Sequence, residues 1–473
     1  MTTGQYGGIG ALISTQDDYI VISEPYEDCP AQKAGLMAGD IILEVEGRST
    51  KGKSTGDVVK FLKGQPQTPV KVLVQKAGTK EKEEKTIIRE EIKVKNVPYY
   101  GMINENTGYI KLTGFTEDAG REVKDALLKL KENPKFTSLV FDLRGNPGGL
   151  LRESVNIVNI FVDKGVDIVS TKGKVKEWEK TYKSLNPPTD LTIPMTILVS
   201  RGSASASEIV SGSLQDLDRG VVIGQRTFGK GLVQTTRPLS YNTQMKITTS
   251  KYYIPSGRCI QAKDYSSRNE DGSVGNVPDS LIKEFKTKNG RKVYDGGGVN
   301  PDITVNPDEY SPISRALASK RLLFDFATDF RLKNPSIVSA STFKVTDAIF
   351  NDFKKFIADK EYDYTTASEK ALKELMESAE KENYFNAIET EYNQLKQKMM
   401  HDKNADLEKS KEEISRLLAD EIVSRYYFQK GRIENGLVFD VEVKKALEVL
   451  NNKALYDDVI TGKYQEPVEK KGK

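Results

Sequence analysis

A serine hydroxyl is a poor nucleophile until a base takes its proton. The chain has a single histidine, His401, far in sequence from the segments that could use it. A Ser-His-Asp triad and a multi-histidine metal site are therefore set aside, and lysine is the best remaining base. Ser205 stands in Gly202-Ser203-Ala204-Ser205-Ala206-Ser207-Glu208, and Lys230 in Arg226-Thr227-Phe228-Gly229-Lys230-Gly231. Serine–lysine pairs are a known solution to acyl transfer. The lysine must be neutral, so its ordinary pKa of about 10.4 has to fall. Burial in an apolar pocket is expected to lower it. Gly229 and Gly231 let the backbone approach closely, and Gln234, four residues on, is placed to orient the amine. Ala206 N–H, at the start of the expected helix, is an amide without an intrahelical acceptor. A second amide from Gly148-Gly149 would complete an oxyanion hole.

Taken singly, each signal has a plainer reading. A serine-rich helix start is usually a cap, a lysine between glycines a turn residue, and a Gly-Gly after a strand a turn. The case rests on their joint occurrence. Gly224 to Lys230 also fits the first seven positions of a phosphate-binding loop, but Gly231 stands where serine or threonine should hold magnesium. The segment after it, Leu232 to Thr236, reads as strand, not helix, so nucleotide binding is disfavoured.

Around these residues the chain divides into three parts. Residues 1–92 read as short strands with two helices. These are strands Ile9 to Ser14, Tyr19 to Ser23, Ile41 to Val45, Val70 to Val74 and Lys85 to Arg89, and helices from Pro30 to Leu36 and after Ser54 or Thr55. Val58, Val59 and Leu62 form the apolar face of the second helix, and Lys80 to Lys85 a solvated hairpin tip. Residues 93–309 alternate strands and helices, implying a mainly parallel sheet with crossovers. They comprise strand Tyr109 to Leu112, helix Asp118 to Leu130, strand Ser138 to Leu143, helix Arg152 to Val162, strand Met195 to Val199 and helix Ser205 to Leu217. Lys263 to Gly298 reads as loop-dominated. Residues 310–473 are helical, with Leu372, Leu375 and Met376 on one face and Ile414, Leu417, Leu418 and Ile422 on another; Glu466 to Lys473 is a charged tail.

The whole chain has 473 residues and a formal net charge of +3. So small a charge lends no support to nucleic-acid binding or a polybasic anchor. No apolar run is long enough to span a membrane, no signal peptide precedes the first strand, and Cys29 and Cys259 form no disulfide or zinc pattern.

The residues quoted resemble the carboxyl-terminal processing (tail-specific) proteases. The matching segments are Phe141 to Gly149, Ser203 to Glu208 and Arg226 to Gly231 through Gln234. Lys246 to Tyr253, Pro255 to Arg258 and Gly298 to Ile303 support the match, which runs over about residues 6 to 309. The resemblance implies Ser205 as nucleophile, Lys230 as general base, Gln234 as its orienting partner, and Ala206 and Gly149 as oxyanion-hole amides. It implies an α/β catalytic domain of the crotonase/Clp-protease type, an N-terminal PDZ domain (α+β) and a helical C-terminal extension for packing or dimerisation. Gly7-Gly8-Ile9-Gly10-Ala11 would be the PDZ carboxylate loop, with Gly8, Ile9 and Gly10 gripping a substrate C-terminus while the peptide adds as a strand. Lys63 precedes Gly64 where the family often has arginine. The expected partners are proteins or peptides held by their C-termini, with no nucleic acid, no membrane span, no cofactor and no metal; a homo-oligomer is left open. The expected location is periplasmic or otherwise exported. Family members normally carry an export signal and N-terminal helices, so the chain reads as truncated. The competing class is a PDZ-containing binding scaffold with a silent hydrolase domain.

Overall fold

The computed structural model describes residues 5–266, 268–306, 309–399 and 403–464. His401 and the charged tail from Glu466 lie outside them. Two compact units divide the chain. One holds Lys93 to the last strand near Thr304 together with the segment from Asp440; the other holds Tyr6–Ile92 together with the helical segment up to Phe439. This grouping differs from a division at 309/310, because the helical segment is split between the two units.

In the first unit a six-stranded sheet runs in the order Ile303–Thr304, Val221–Gly224, Met195–Val199, Ser138–Asp142, Thr107–Lys111, Tyr99–Met102. All its pairings are parallel except the last, which is antiparallel. Ser138–Asp142, Met195–Val199 and Val221–Gly224 are buried at every position, as strands covered on both faces must be. The helix Ala119–Lys131 turns Val123, Ala126, Leu127 and Leu130 inward, following its 3.6-residue apolar period. Leu151–Asn159 and Ala206–Asp216 complete the crossovers. A second, antiparallel sheet has the order Lys180–Lys183, Asp167–Gly173, Gln244–Tyr253, Leu232–Pro238.

The stretch from Lys263 to Gly298 is loop-rich as expected, with one short strand pair, Glu284–Lys286 and Lys292–Tyr294. It is nonetheless pinned. Arg291 Nε lies 2.6 Å from Asp218 Oδ1, and its Nη1 lies 2.6 Å from Asp302 Oδ1. The fully buried Arg258 lies 2.8 Å from Asp216 Oδ1 and donates to Gln215 Oε1 at 2.8 Å. The Pro255 to Arg258 and Gly298 to Ile303 segments thus fasten the far end of the helix Ala206–Asp216.

In the second unit the strands Ala11–Gln16, Tyr19–Pro25, Ile41–Val45, Pro69–Gln75 and Lys82–Ile88 form an antiparallel sheet in that order. Ser54 caps the helix Thr55–Leu62 by accepting from Asp57 N–H. Val58 and Leu62 are buried there, while Val59 is half-buried. Lys82 to Lys85 are strand residues, not hairpin tip: the turn falls earlier, near Gly78, and the charges sit on a solvated strand. In the helical part Ile414, Leu418 and Ile422 are fully buried in a core with Phe326, Phe350 and Phe353. Leu372 is buried, but Leu375 is 49% exposed, so the expected apolar face of that helix is narrower than its sequence suggests.

Candidate active site

Ser205 sits between the strand Met195–Val199 and the helix Ala206–Asp216, at φ 56° and ψ −112°. A non-glycine residue held at positive φ stores strain of about 1–3 kcal/mol. The surrounding hydrogen bonds hold it. Ser205 N–H donates to Glu208 Oε2 at 2.8 Å. The same carboxylate accepts from Lys230 N–H at 2.9 Å, Gly229 N–H at 2.7 Å and Thr227 Oγ1 at 2.6 Å. Burial raises the Glu208 pKa, and these four donors oppose the rise. One side chain therefore binds the serine turn to the lysine turn. Tyr252, fully enclosed, makes a second tie: its hydroxyl donates to Ser205 O at 3.1 Å and also contacts Lys230 O.

The glycine turn is built against the serine by Asn146. Its Oδ1 accepts from Gly148 N–H at 2.9 Å, its Nδ2 donates to Leu112 O at 2.9 Å, and its own carbonyl accepts from Ala204 N–H and Ser207 Oγ. Gly148 has φ 94°, and a Cβ there would lie 2.6 Å from Ala204 O and 2.8 Å from Ala206 N. Only glycine allows so close an approach. Among the described residues, Ala206 N–H and Gly149 N–H have no hydrogen-bond acceptor, so both amides are free for a ligand.

Gly149, Ser205, Ala206, Lys230 and Gln234 all line one cavity of about 290 Å³, with Leu150, Leu151, Ile209, Leu232, Val233, Lys246 and Tyr252. The expected dyad contact is not made in this structure. Lys230 is exposed, not enclosed in an apolar pocket, and among the described residues no hydrogen bond joins it to Ser205 or Gln234. The cause is local. Lys230 lies in the turn before the strand Leu232–Pro238, and that strand's register shifts between Val233 and Gln234, so a four-residue spacing no longer fixes a shared direction. A strand also follows Lys230 where a phosphate-binding loop needs a helix.

Glu208, Tyr252 and Asn146 received no role from the sequence. Glu208 had a legible signal, standing three residues after a serine at a helix start, the spacing of a capping box. Tyr252 had none, and Asn146 only a turn bond to Gly148, because their other partners are distant in the chain.

In the second unit Gly8, Ile9 and Gly10 line a cavity of about 170 Å³ with Tyr6, Ala11, Ile13, Val59, Leu62 and Lys63. The strand beside it, Ala11–Gln16, is at the sheet edge. Lys63 Nζ stands 4.3 Å from the Tyr6 ring centroid, a cation–π distance.

Comparison with known proteins finds three family models along the chain. Residues 21–76 match the PDZ domain, residues 106–268 match Peptidase family S41, and residues 313–450 match "Probable PDZ-protease, C-terminal helical domain". A Bartonella bacilliformis protein named carboxy-terminal-processing protease is 36% identical over 288 residues, covering 60% of this chain and 63% of the relative. A Staphylococcus aureus protein named "Probable CtpA-like serine protease" is 42% identical over 263 residues, covering 55% of this chain and 52% of the relative. The chain thus spans less than two thirds of the length of either. Among solved structures, the PDZ domain of a carboxy-terminal protease from Vibrio cholerae, in complex with peptide, is 32% identical. That match covers 19% of this chain and 99% of the other, with a TM-score of 0.18. The order of the three family matches and the relatives' names make the chain similar to PDZ-bearing S41 peptidases and to carboxy-terminal-processing proteases. Among the described residues, no helix is long and apolar enough to cross a membrane.

Proposed function

We propose that the chain is a serine endopeptidase that cleaves proteins near their C-termini, with Ser205 as nucleophile and Lys230 as base, in a catalytic domain of the crotonase/Clp type. The observation that carries this reading is the shared cavity: Ser205, Lys230, Ala206 and Gly149 all line one space, and the serine and lysine turns are tied together through Glu208. Ser205 Oγ attacks the scissile carbonyl carbon as its proton passes to Lys230 Nζ. The oxyanion accepts from Ala206 and Gly149 N–H, donors preorganised where charge develops. Collapse expels the amine, which takes the proton from Lys230. Water then attacks the acyl-enzyme with Lys230 again as base, releasing the new carboxyl end and restoring Ser205. Gln234 orients the lysine amine once the side chain has turned into the cavity. The Gly8-Ile9-Gly10 loop binds the substrate's terminal carboxylate, while the edge strand Ala11–Gln16 offers backbone groups for strand addition. An exported location belongs to the same reading.

A binding scaffold with a silent site is the second reading, supported by the exposed, unengaged Lys230. Cleavage of an unfolded protein, with no metal or nucleotide added, separates the two. Wild type is expected to cleave, and Lys230→Ala to be slower by about 10²–10⁴-fold, the scale of general-base catalysis. Ser205→Ala should be inactive, with both variants folded. Full activity in Ser205→Ala would overturn the mechanism. Peptide binding without cleavage by wild type would support the scaffold.

A further inference from the structure

The cavity at Ser205 carries a second lysine that the proposed chemistry does not use. Lys246, on the strand Gln244–Tyr253, lines it together with Lys230. In the strand register Lys246 lies opposite Thr236, two residues beyond Gln234. No aspartate or glutamate lines the cavity. The nearby carboxylate of Glu208 is buried and faces Thr227, Gly229, Lys230 and Ser205 through its own hydrogen bonds. The Lys246 residue is exposed, and among the described residues no hydrogen bond, ion pair or ring contact engages its side chain. The rest of the lining is largely apolar: Leu150, Leu151, Ile209, Leu232 and Val233.

These facts divide the two amines. A base must be neutral to take the serine proton, so Lys230 cannot also serve as a fixed positive charge during the reaction. Lys246, with no carboxylate to neutralise it, makes the cleft cationic beside an apolar floor. A peptide that fills such a space gains by presenting an apolar side chain to the floor and a carboxylate to the amine.

We propose that Lys246 is a specificity-determining residue of the cleft, where its ammonium pairs with a substrate carboxylate near the scissile bond. The inference rests on the peptidase reading of the same site. The carboxylate has two sources, an acidic side chain in the peptide or a free C-terminus reaching into the cleft.

The test uses the full chain and peptides that differ at the residues flanking the cleaved bond, carrying Glu, Gln or Lys, each with a free or amidated C-terminus. Wild type should prefer Glu over Gln peptides by about fivefold in kcat/KM, the upper scale of a solvent-exposed ion pair. The preference should shrink as salt is raised. Lys246→Gln should lose it, and Lys246→Glu should invert it toward the Lys peptides, an outcome that a merely structural role would not produce. Preference among amidated peptides assigns the acidic side chain. Preference only between free and amidated ends, abolished by Lys246→Gln, assigns the terminal carboxylate. Equal discrimination by wild type and both Lys246 variants would overturn the proposal. Affinities of the same peptides for the Ser205→Ala chain, read by fluorescence anisotropy, need no turnover. If wild type cleaves nothing, the peptidase reading fails on its own, and the anisotropy ratios between Lys246 and its variants still decide this one.

Discussion

At the scale of single residues, Glu208 is the residue on which the site geometry depends most. Its carboxylate offers acceptors to four donors from two turns. A glutamine there has one carbonyl oxygen and must point an NH2 at N–H groups. Glu208→Gln should therefore cost about 1–3 kcal/mol, the penalty of buried groups left unpaired, measured as a loss in urea-unfolding free energy. It should also lower peptidase kcat. A variant with wild-type stability and rate would show that the two turns are held some other way. Asp142 gives a pH-dependent counterpart. It is fully buried, and burial alone would raise its pKa. Arg144, Lys111 and the Tyr109 hydroxyl outweigh that and hold the carboxyl well below the usual range. A carboxylate whose folded pKa is depressed adds stability above its unfolded pKa and loses it as pH falls toward the folded value. The stability gap between wild type and Asp142→Asn should stay level above about pH 4, near the unfolded aspartate value, and shrink below it. A gap that widens on acidification would contradict this ion-pair account.

At the scale of elements, the site is made where three turns meet: the serine turn, the lysine turn and Gly145 to Gly149. Their closeness is steric as much as polar. Gly148 is the tightest point, since a methyl group would meet backbone atoms of Ala204 and Ala206 in a backbone region that disfavours side chains. Gly148→Ala should displace the glycine turn from the serine and abolish activity while much of the fold survives, read as lost cleavage with retained circular dichroism. Normal cleavage would mean that the turn has room to yield. Helix starts show a milder dependence. Ser54→Ala removes the acceptor for Asp57 N–H and should lower stability by about 1 kcal/mol, seen as a shift in thermal unfolding.

At the scale of the molecule, the last helices are part of the unit that holds the Ser205 cavity. Arg144 Nη2 lies 2.7 Å from Asp440 Oδ2, and Arg144 Nη1 is also paired with Glu442. The Tyr456 hydroxyl accepts from Met195 N–H at 3.2 Å, and Asn289 Nδ2 donates to Ile460 O at 3.1 Å. A chain ended at Phe439 should unfold at a lower temperature and lose peptidase activity, because Arg144 would keep only Asp142. An unchanged Tm would show the segment to be dispensable. Within the other unit the helical part fastens to the PDZ strands. Arg432 Nη1 is 3.5 Å from Glu24 Oε2, and Glu24 also accepts from the amide of Gln429, just past the kink at Phe428.

The sequence by itself determined the strands and helices of the catalytic sheet, because buried parallel strands and amphipathic helices carry their own apolar periods. Met195 to Val199 and the inward face of Ala119–Lys131 were legible for that reason. It also pointed to the turns that meet at the cavity, since Gly, Ser and Lys at those spacings are local constraints. Only the tertiary structure decided that Glu208 and Tyr252 join those turns, that Lys230 stands exposed in this state, and that the helical segment divides at Asp440. Each of these depends on groups far apart in sequence. A hydrogen bond from one chain segment to another, or the burial of a side chain by a neighbour it meets only after folding, leaves no period in the sequence to read.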